Sequence, residues 1–307
     1  MARKKLLVIL VGILWGLFGS PLILAQKKAP VELLMTLDTK EAGGVNQPLS
    51  LFLSEHKQQL IISDTGNSRL LFFDARGDEF KLLEEFNADG EIFHPISAVQ
   101  DSHGKLYVTE RGKNGVIIYD RGVNSKDVLA VEGTPIYLAM DINDNLYVIE
   151  RRHKKIMVFN PRLQLISQVS ISDKAFTNFS DVAIDKKGRI YALETLAGKV
   201  YVFDREGNLI NKFGKRGKER GDFQFPTSIA LDPHGNIYVV DQHRHKVLVF
   251  DSQGTLQWEF GKLGWKKGTL YFPAHIFIDS SNRIFIIEKH INRIQIFAPL
   301  YRKAEGL

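Results

Sequence analysis

Six acidic residues recur along this chain at nearly even intervals: Asp64, Glu110, Glu150, Glu194, Asp241 and Glu288, spaced 46, 40, 44, 47 and 47 residues apart. A ring of carboxylates could hold cations or move protons as general acid and base. The neighbouring residues point to a different task. Five of the six are followed, five residues on, by a base: Arg69, Lys155, Lys199, Lys246 and Arg293, with Gly115 the exception. An acid that ends one strand and a base that opens the next face each other across a hairpin. These six therefore read as structural turn acids.

Other groups that could do chemistry are sparse. Asp101, Asp141, Asp185, Asp232 and Asp279 each stand nine residues before an anchor acid. Asp141-Ile142-Asn143-Asp144-Asn145 has the alternation of a calcium loop, but Arg152 occupies the position where such a loop needs a closing glutamate. Of the nine histidines, His243 and His245 lie two apart with no third ligand evident. No metal and no cofactor is expected. The chain has no cysteine, which excludes thiol catalysis, disulfides and thiolate zinc sites. A phosphate-binding glycine loop and a nucleophile elbow are both missing. Catalytic residues are left unassigned.

The anchors sit in a repeat. Residues 225–251 read FPTSIALDPHGNIYVVDQHRHKVLVFD, and the same pattern recurs at 48–74, 95–120, 135–160, 179–204 and 273–298. A period in the forties, with several short strands per unit, indicates the blades of a propeller. Each unit gives four strands: one after the proline, one ending at the anchor acid, one closing ten residues later, and a weaker fourth such as Leu256–Phe260, Leu209–Phe213 or Leu163–Val169. The turns between the first two are rich in Asp, Gly and Asn, which tolerate positive φ. The expected fold is an all-β six-bladed β-propeller of four-stranded antiparallel blades. The repeat cores are about 48–86, 95–131, 135–170, 179–214, 225–261 and 273–298. The last core lacks a fourth strand, and Val31–Leu37 looks like a fourth strand without a blade. Residues 31–37 are expected to complete the sixth blade from outside and so close the ring.

These repeats resemble the NHL family from about residue 31 to residue 298. Asp64-Thr65-Gly66-Asn67-Ser68-Arg69 is similar to that family's Asp…Asn…Arg turn, and residues 226–241 match its strand–turn–strand stretch. Asn is replaced in the other five turns by Lys113, His153, Ala197, Arg244 and Ile291. The resemblance extends to peptidyl-hydroxyglycine amidating lyases, in which histidines directly after the strand-opening proline hold zinc. Here those positions are Leu49, Ile96, Ile136, Thr227 and Ala274, with Asp181 after Ser180 in the fourth unit. His275 falls one place late and His94 precedes its proline. The resemblance therefore does not carry a zinc lyase over to this chain. Gluconolactonase-like and strictosidine-synthase-like propellers share the size, but no motif specific to them is present.

The first 25 residues read as a signal peptide or membrane anchor. Arg3, Lys4 and Lys5 precede an uncharged run, Leu6–Leu24, and Ala25 offers a cleavage site. Left uncleaved, residues 6–24 would tether the chain to a membrane. The body, 26–307, is expected outside the cytoplasm, periplasmic or secreted. Without the three leader cations the formal charge drops from +6 to +3. With export, that argues against nucleic acid as a partner. The cations are uneven, however. Loops joining strands two and three, and loops joining blades, emerge on one face of a propeller. Those loops carry Arg151, Arg152, Lys154, Lys155, Arg244 and Lys266, with Trp265, Phe223 and Phe272 as exposed-looking aromatics. The expected function is an extracytoplasmic binding or scaffold propeller that engages a protein or an anionic glycan through this face. Arg151, Arg152, Lys154, Lys155, Arg244, Trp265 and Lys266 are the partner-binding candidates. The alternative is a channel-centred enzyme, a metal-assisted lyase or a lactone hydrolase.

Overall fold

The computed structural model describes residues 31–300; the leader and any cleavage site lie outside the described residues. Six four-stranded antiparallel sheets are arranged as blades, and each inner strand is the terminal strand of its sheet. Blade one is Ser50–Ser54, Gln59–Asp64, Arg69–Asp74 and Lys81–Phe86, and blade two is Pro95–Gln100, Leu106–Glu110, Gly115–Asp120 and Ser125–Ala130. Blade three runs Pro135–Met140, Leu146–Glu150, Lys155–Phe159 and Leu165–Ser170, and blade four runs Asp181–Ile184, Ile190–Glu194, Lys199–Phe203 and Leu209–Phe213. Blade five comprises Pro226–Leu231, Ile237–Asp241, Lys246–Phe250 and Leu256–Phe260. Blade six is His275–Ile278, Ile284–Glu288, Arg293–Pro299 and, from the other end of the chain, Val31–Thr36.

That last pairing closes the ring. Val31–Thr36 runs antiparallel to Arg293–Pro299, with Val31 opposite Pro299 and Thr36 opposite Gln295. Leu37 N–H then donates to Ile294 O and extends the ladder by one residue. One expected boundary shifts. The fourth strand of blade three starts at Leu165 rather than Leu163, because Leu163 takes a left-handed φ of 60° in the turn after Asn160.

Side-chain alternation explains the apolar runs. In blade one, Ile61 packs toward blade two, while Leu60 and Ile62 pack toward blade six. Both faces of the middle strands are thus buried against neighbours, so these strands read as continuous Val/Ile/Leu rather than alternating. Six apolar clusters result, one between each pair of adjacent blades. Fourth strands face solvent on one side and alternate, as in Lys81–Phe86.

Candidate functional site at the loop face and channel mouth

The anchor acids tie each blade to the loop that enters it. Asp64 accepts Asn46 N–H at 2.7 Å, Glu150 accepts Thr134 N–H at 2.7 Å, and Glu194 accepts Thr177 N–H at 2.8 Å. Asp241 takes Gln224 and Phe225 N–H, and Glu288 takes Tyr271 N–H at 2.6 Å. Each fixes a residue 16 to 18 positions upstream, the last stretch before an inner strand. Burial raises the Glu150 carboxyl, but donation from Thr134, His153 and Arg152 N–H wins and holds it below the usual carboxylate range.

The bases five residues on behave according to type. Arg69 and Arg293 reach their acids at 2.7 and 2.6 Å and also bond entering-loop carbonyls, Ala42 and Gly44 in one blade, Trp265 and Thr269 in the other. The lysines do not follow. Lys155 bonds Gln168 on the fourth strand at 3.0 Å, and Lys246 pairs with Glu259. A guanidinium fork can hold an acid and a carbonyl at once; an ammonium on a flexible stem settles on the outer strand. Glu110 differs from all five. It is buried, and neither carboxylate oxygen has a partner within hydrogen-bond geometry; Phe93 N–H supplies only a weaker contact. Burial pushes its carboxyl up. The base is missing because Gly115 stands there, and a Cβ at Gly115 would lie 2.7 Å from Val128.

The Asp141 loop is a hairpin turn. Asp141 Oδ1 accepts the N–H groups of Asn143 and Asn145, both at 2.9 Å. Asp101, Asp185 and Asp232 make the same two bonds in their own blades.

The inner strands line a central channel, and here the sequence reading needs correction. The channel position is two residues after the proline, not one. The register shifts between Pro95 and Ser97, Pro135 and Tyr137, and Pro226 and Ser228, and this bulge re-aims the following side chains. The ring therefore consists of Ser50, Ser97, Tyr137, Asp181, Ser228 and His275, one polar side chain per blade. Three of these satisfy the free edge of the next inner strand: Ser97 Oγ accepts Leu138 N–H, Asp181 Oδ2 accepts Ile229 N–H, and Ser228 Oγ accepts Ile276 N–H. Ser228 Oγ also donates to Asp181 at 2.5 Å. Burial raises the Asp181 carboxyl to about 7 despite these donors.

Tyr137 crosses the channel. From blade three it donates to Leu49 O of blade one at 2.8 Å and stacks on His275 of blade six, ring centroids 5.7 Å apart and planes 18° apart. Burial alone lowers His275 to about 3, and its Nδ1 lacks a hydrogen-bond partner. Tyr137 is likewise pushed up by burial. The channel is thus closed at ring level by two neutral rings. Of the convergent His, Glu and Asn expected of a channel-centred enzyme, the ring holds one histidine, His275, and neither Glu nor Asn. Among the described residues, no three His, Asp or Glu side chains cluster as a metal site would require.

The seven partner-binding candidates fall into two groups on the loop face. Arg151, Arg152 and Lys154 are exposed in the blade-three hairpin, but Lys154 Nζ is held by Phe176 O at 2.9 Å. Arg244, Trp265 and Lys266 lie around blade five, with blade four between the groups. Arg244 donates to Glu219 O at 2.8 Å, Lys266 is exposed, and Trp265 is 67 % exposed. Phe223 is fully buried against Phe250, contrary to its exposed reading, and Phe272 is half-buried.

Around the second group the structure assembles a run of rings the sequence did not reveal. Trp265 packs on Tyr271 at 4.2 Å, Tyr271 meets Phe272 at 5.0 Å, and Phe272 meets His245 at 4.4 Å, His290 at 5.9 Å and His243 at 6.4 Å. His243 in turn stacks on Phe225 at 4.6 Å. Two long blade-to-blade loops of similar pattern, 214–225 and 261–272, flank this run and carry Lys215, Arg216, Lys218, Arg220, Lys262, Lys266 and Lys267. Phe272 precedes Pro273 with a left-handed φ of 46°, a conformation that costs a bulky residue about 1–3 kcal/mol. His245 Nδ1 accepts its N–H at 3.1 Å and helps hold it. Burial and the neighbouring His243 lower His245, which favours that acceptor form.

Comparisons agree on architecture. A family model, DUF5128, described as a 6-bladed beta-propeller, matches residues 169–266. Protein brain tumor from Drosophila melanogaster is 23% identical over 159 residues, which is 52% of this chain and only 12% of that protein's length. Among solved structures, a gluconolactonase from Xanthomonas campestris superposes with a TM-score of 0.64 at 15% identity, over 88% of this chain and 89% of that one. A catalytically inactive virginiamycin B lyase from Staphylococcus aureus with quinupristin gives 0.61 at 13% identity, over 82% and 80%. An auxiliary nutrient binding protein from Bacteroides thetaiotaomicron gives 0.63 at 13% identity, over 83% and 69%. At such identities these likenesses establish the fold: an all-β six-bladed propeller of four-stranded antiparallel blades.

Proposed function

We propose that this chain is an exported propeller of NHL type that binds an anionic partner, an acidic protein or an anionic glycan, through its loop face, with the ring run of blades five and six as the contact. The observation that carries this reading is the run itself: seven aromatic or imidazole rings in mutual contact, edged by cations, with Trp265 exposed at its outer end. Exposed aromatic anchors beside cations are the usual composition of binding hot spots. Export rests on the leader sequence, and NHL type on the Asp64–Asn67–Arg69 contacts in blade one. The channel offers less to an enzyme, because its polar ring is spent on strand edges and on the Tyr137–His275 stack. One neighbour in fold is itself described as nutrient binding, which a binding role parallels.

The test is the affinity of residues 26–307 for polygalacturonate and for poly-glutamate at low and high salt. Binding should weaken with salt, because exposed charges more than about 10 Å apart are screened at 0.1 M. Trp265→Ala, and Arg244→Glu with Lys266→Glu, should each reduce it tenfold or more at unchanged thermal stability. Unaltered affinity in both variants would remove this surface as the site.

A further inference from the structure

The inner strands also surround a cavity of about 140 Å³. His275 is part of its lining, with Ser50, Ser97 and Asp181 near the same end. Farther along the inner strands the lining turns apolar, with Phe52, Met140, Ile184, Leu231 and Phe277, and Phe52 meets Phe277 edge to face at 6.0 Å. Ala139, Ala183 and Ala230 leave room where larger side chains would fill it. A dry apolar cavity of about 150 Å³ is known to take benzene, so this one has the size for a single six-membered ring. It differs from a purely apolar hole in one respect. Six edge strands converge on the channel, and an edge strand presents unpaired N–H and C=O groups. Leu138, Ile229 and Ile276 N–H among them are satisfied by ring side chains.

We propose that this cavity is a binding site for a small neutral ring compound with one hydrogen-bonding group on its edge, of the size of phenol. The flat apolar faces pack between Phe52, Phe277 and the aliphatic side chains, and the edge group meets the polar end or a free strand edge. An anionic ligand is rejected, because an anion in this site would lose hydration beside Asp181 with no lysine or arginine in the lining to replace it. The site is separate from the loop face and does not depend on that reading.

The experiment is ligand-observed NMR with phenol, benzene and benzoate as probes on residues 26–307, followed by titration of any binder. Phenol should bind, benzene should bind more weakly, and benzoate should not bind. Ala183→Leu and, as a second variant, Ala139→Leu fill the cavity from two blades. Each should weaken phenol at least tenfold, with thermal unfolding used to show that the variant is folded. Absence of phenol binding to the wild type, equal binding of benzoate, or full phenol affinity in a folded filled variant would each overturn the site.

Discussion

Two buried groups of the channel ring that titrate in the acid range, His275 and Asp181, make opposite contributions to stability, and their cancellation can be taken apart. His275 is lowered from 6.5 to about 3 by burial, and Asp181 is raised from 3.8 to about 7 by burial. For His275 the folded state disfavours the proton. Its contribution is whole above 6.5 and is lost as pH falls toward about 3. For Asp181 the folded state favours the proton. Its contribution is whole below 3.8 and is lost as pH rises through about 7. Between 3.8 and 6.5 both slopes act, each about 1.4 kcal/mol per pH unit and opposite in sign. Wild type should therefore feel no net slope from the pair. His275→Leu removes one arm. Relative to wild type, its stability should rise by about 3 kcal/mol on going from pH 6.5 to about pH 4.5. Asp181→Asn should fall by a similar amount over the same interval. The double variant should run parallel to wild type. Urea unfolding followed by tryptophan fluorescence measures all four at each pH. Single variants that both run parallel to wild type would refute the reasoning: the ring would then be hydrated, and the Tyr137–His275 stack would not seal the channel.

Other expectations concern the anchors and the closure. Glu288→Gln strips a buried carboxylate from Arg293, Gln295 and Tyr271 N–H, and should cost about 3–5 kcal/mol in denaturant unfolding. Glu110→Gln at the equivalent position should cost less than about 1 kcal/mol or stabilise, since that carboxylate has no base to lose; equal losses in the two would show that the anchors do not differ. Removing residues 26–40 takes away the strand paired with Arg293–Pro299, and the product should unfold or aggregate in size-exclusion chromatography. A stable monomer would show that the ring closes without it.

The blades were legible because their signal is long-range and redundant: the acid spacing, the turn residues and the apolar runs all agree. Closure by Val31–Thr36 was legible by counting strands. The channel ring was not. A bulge after the proline displaces the channel-facing position by one residue in three blades, to Ser97, Tyr137 and Ser228 rather than Ile96, Ile136 and Thr227. A polar residue two places after each proline, repeated with the blade spacing, was the signal that could have found them. Partner choice among the bases was hidden too. Lys155 and Arg293 occupy the same position, yet only the arginine spans to its acid and a carbonyl together. The ring run of Trp265, Tyr271, Phe272, His243 and Phe225 joins two loops and a hairpin, and that neighbourhood exists only once the blades are assembled.

The most direct test of the central claim is hydrogen exchange of residues 26–307 with and without a saturating polyanion, polygalacturonate or poly-glutamate. New protection should be confined to residues 214–225, 242–246 and 261–272. Protection confined to the 151–155 hairpin or to the inner strands, with those three segments unchanged, would contradict it.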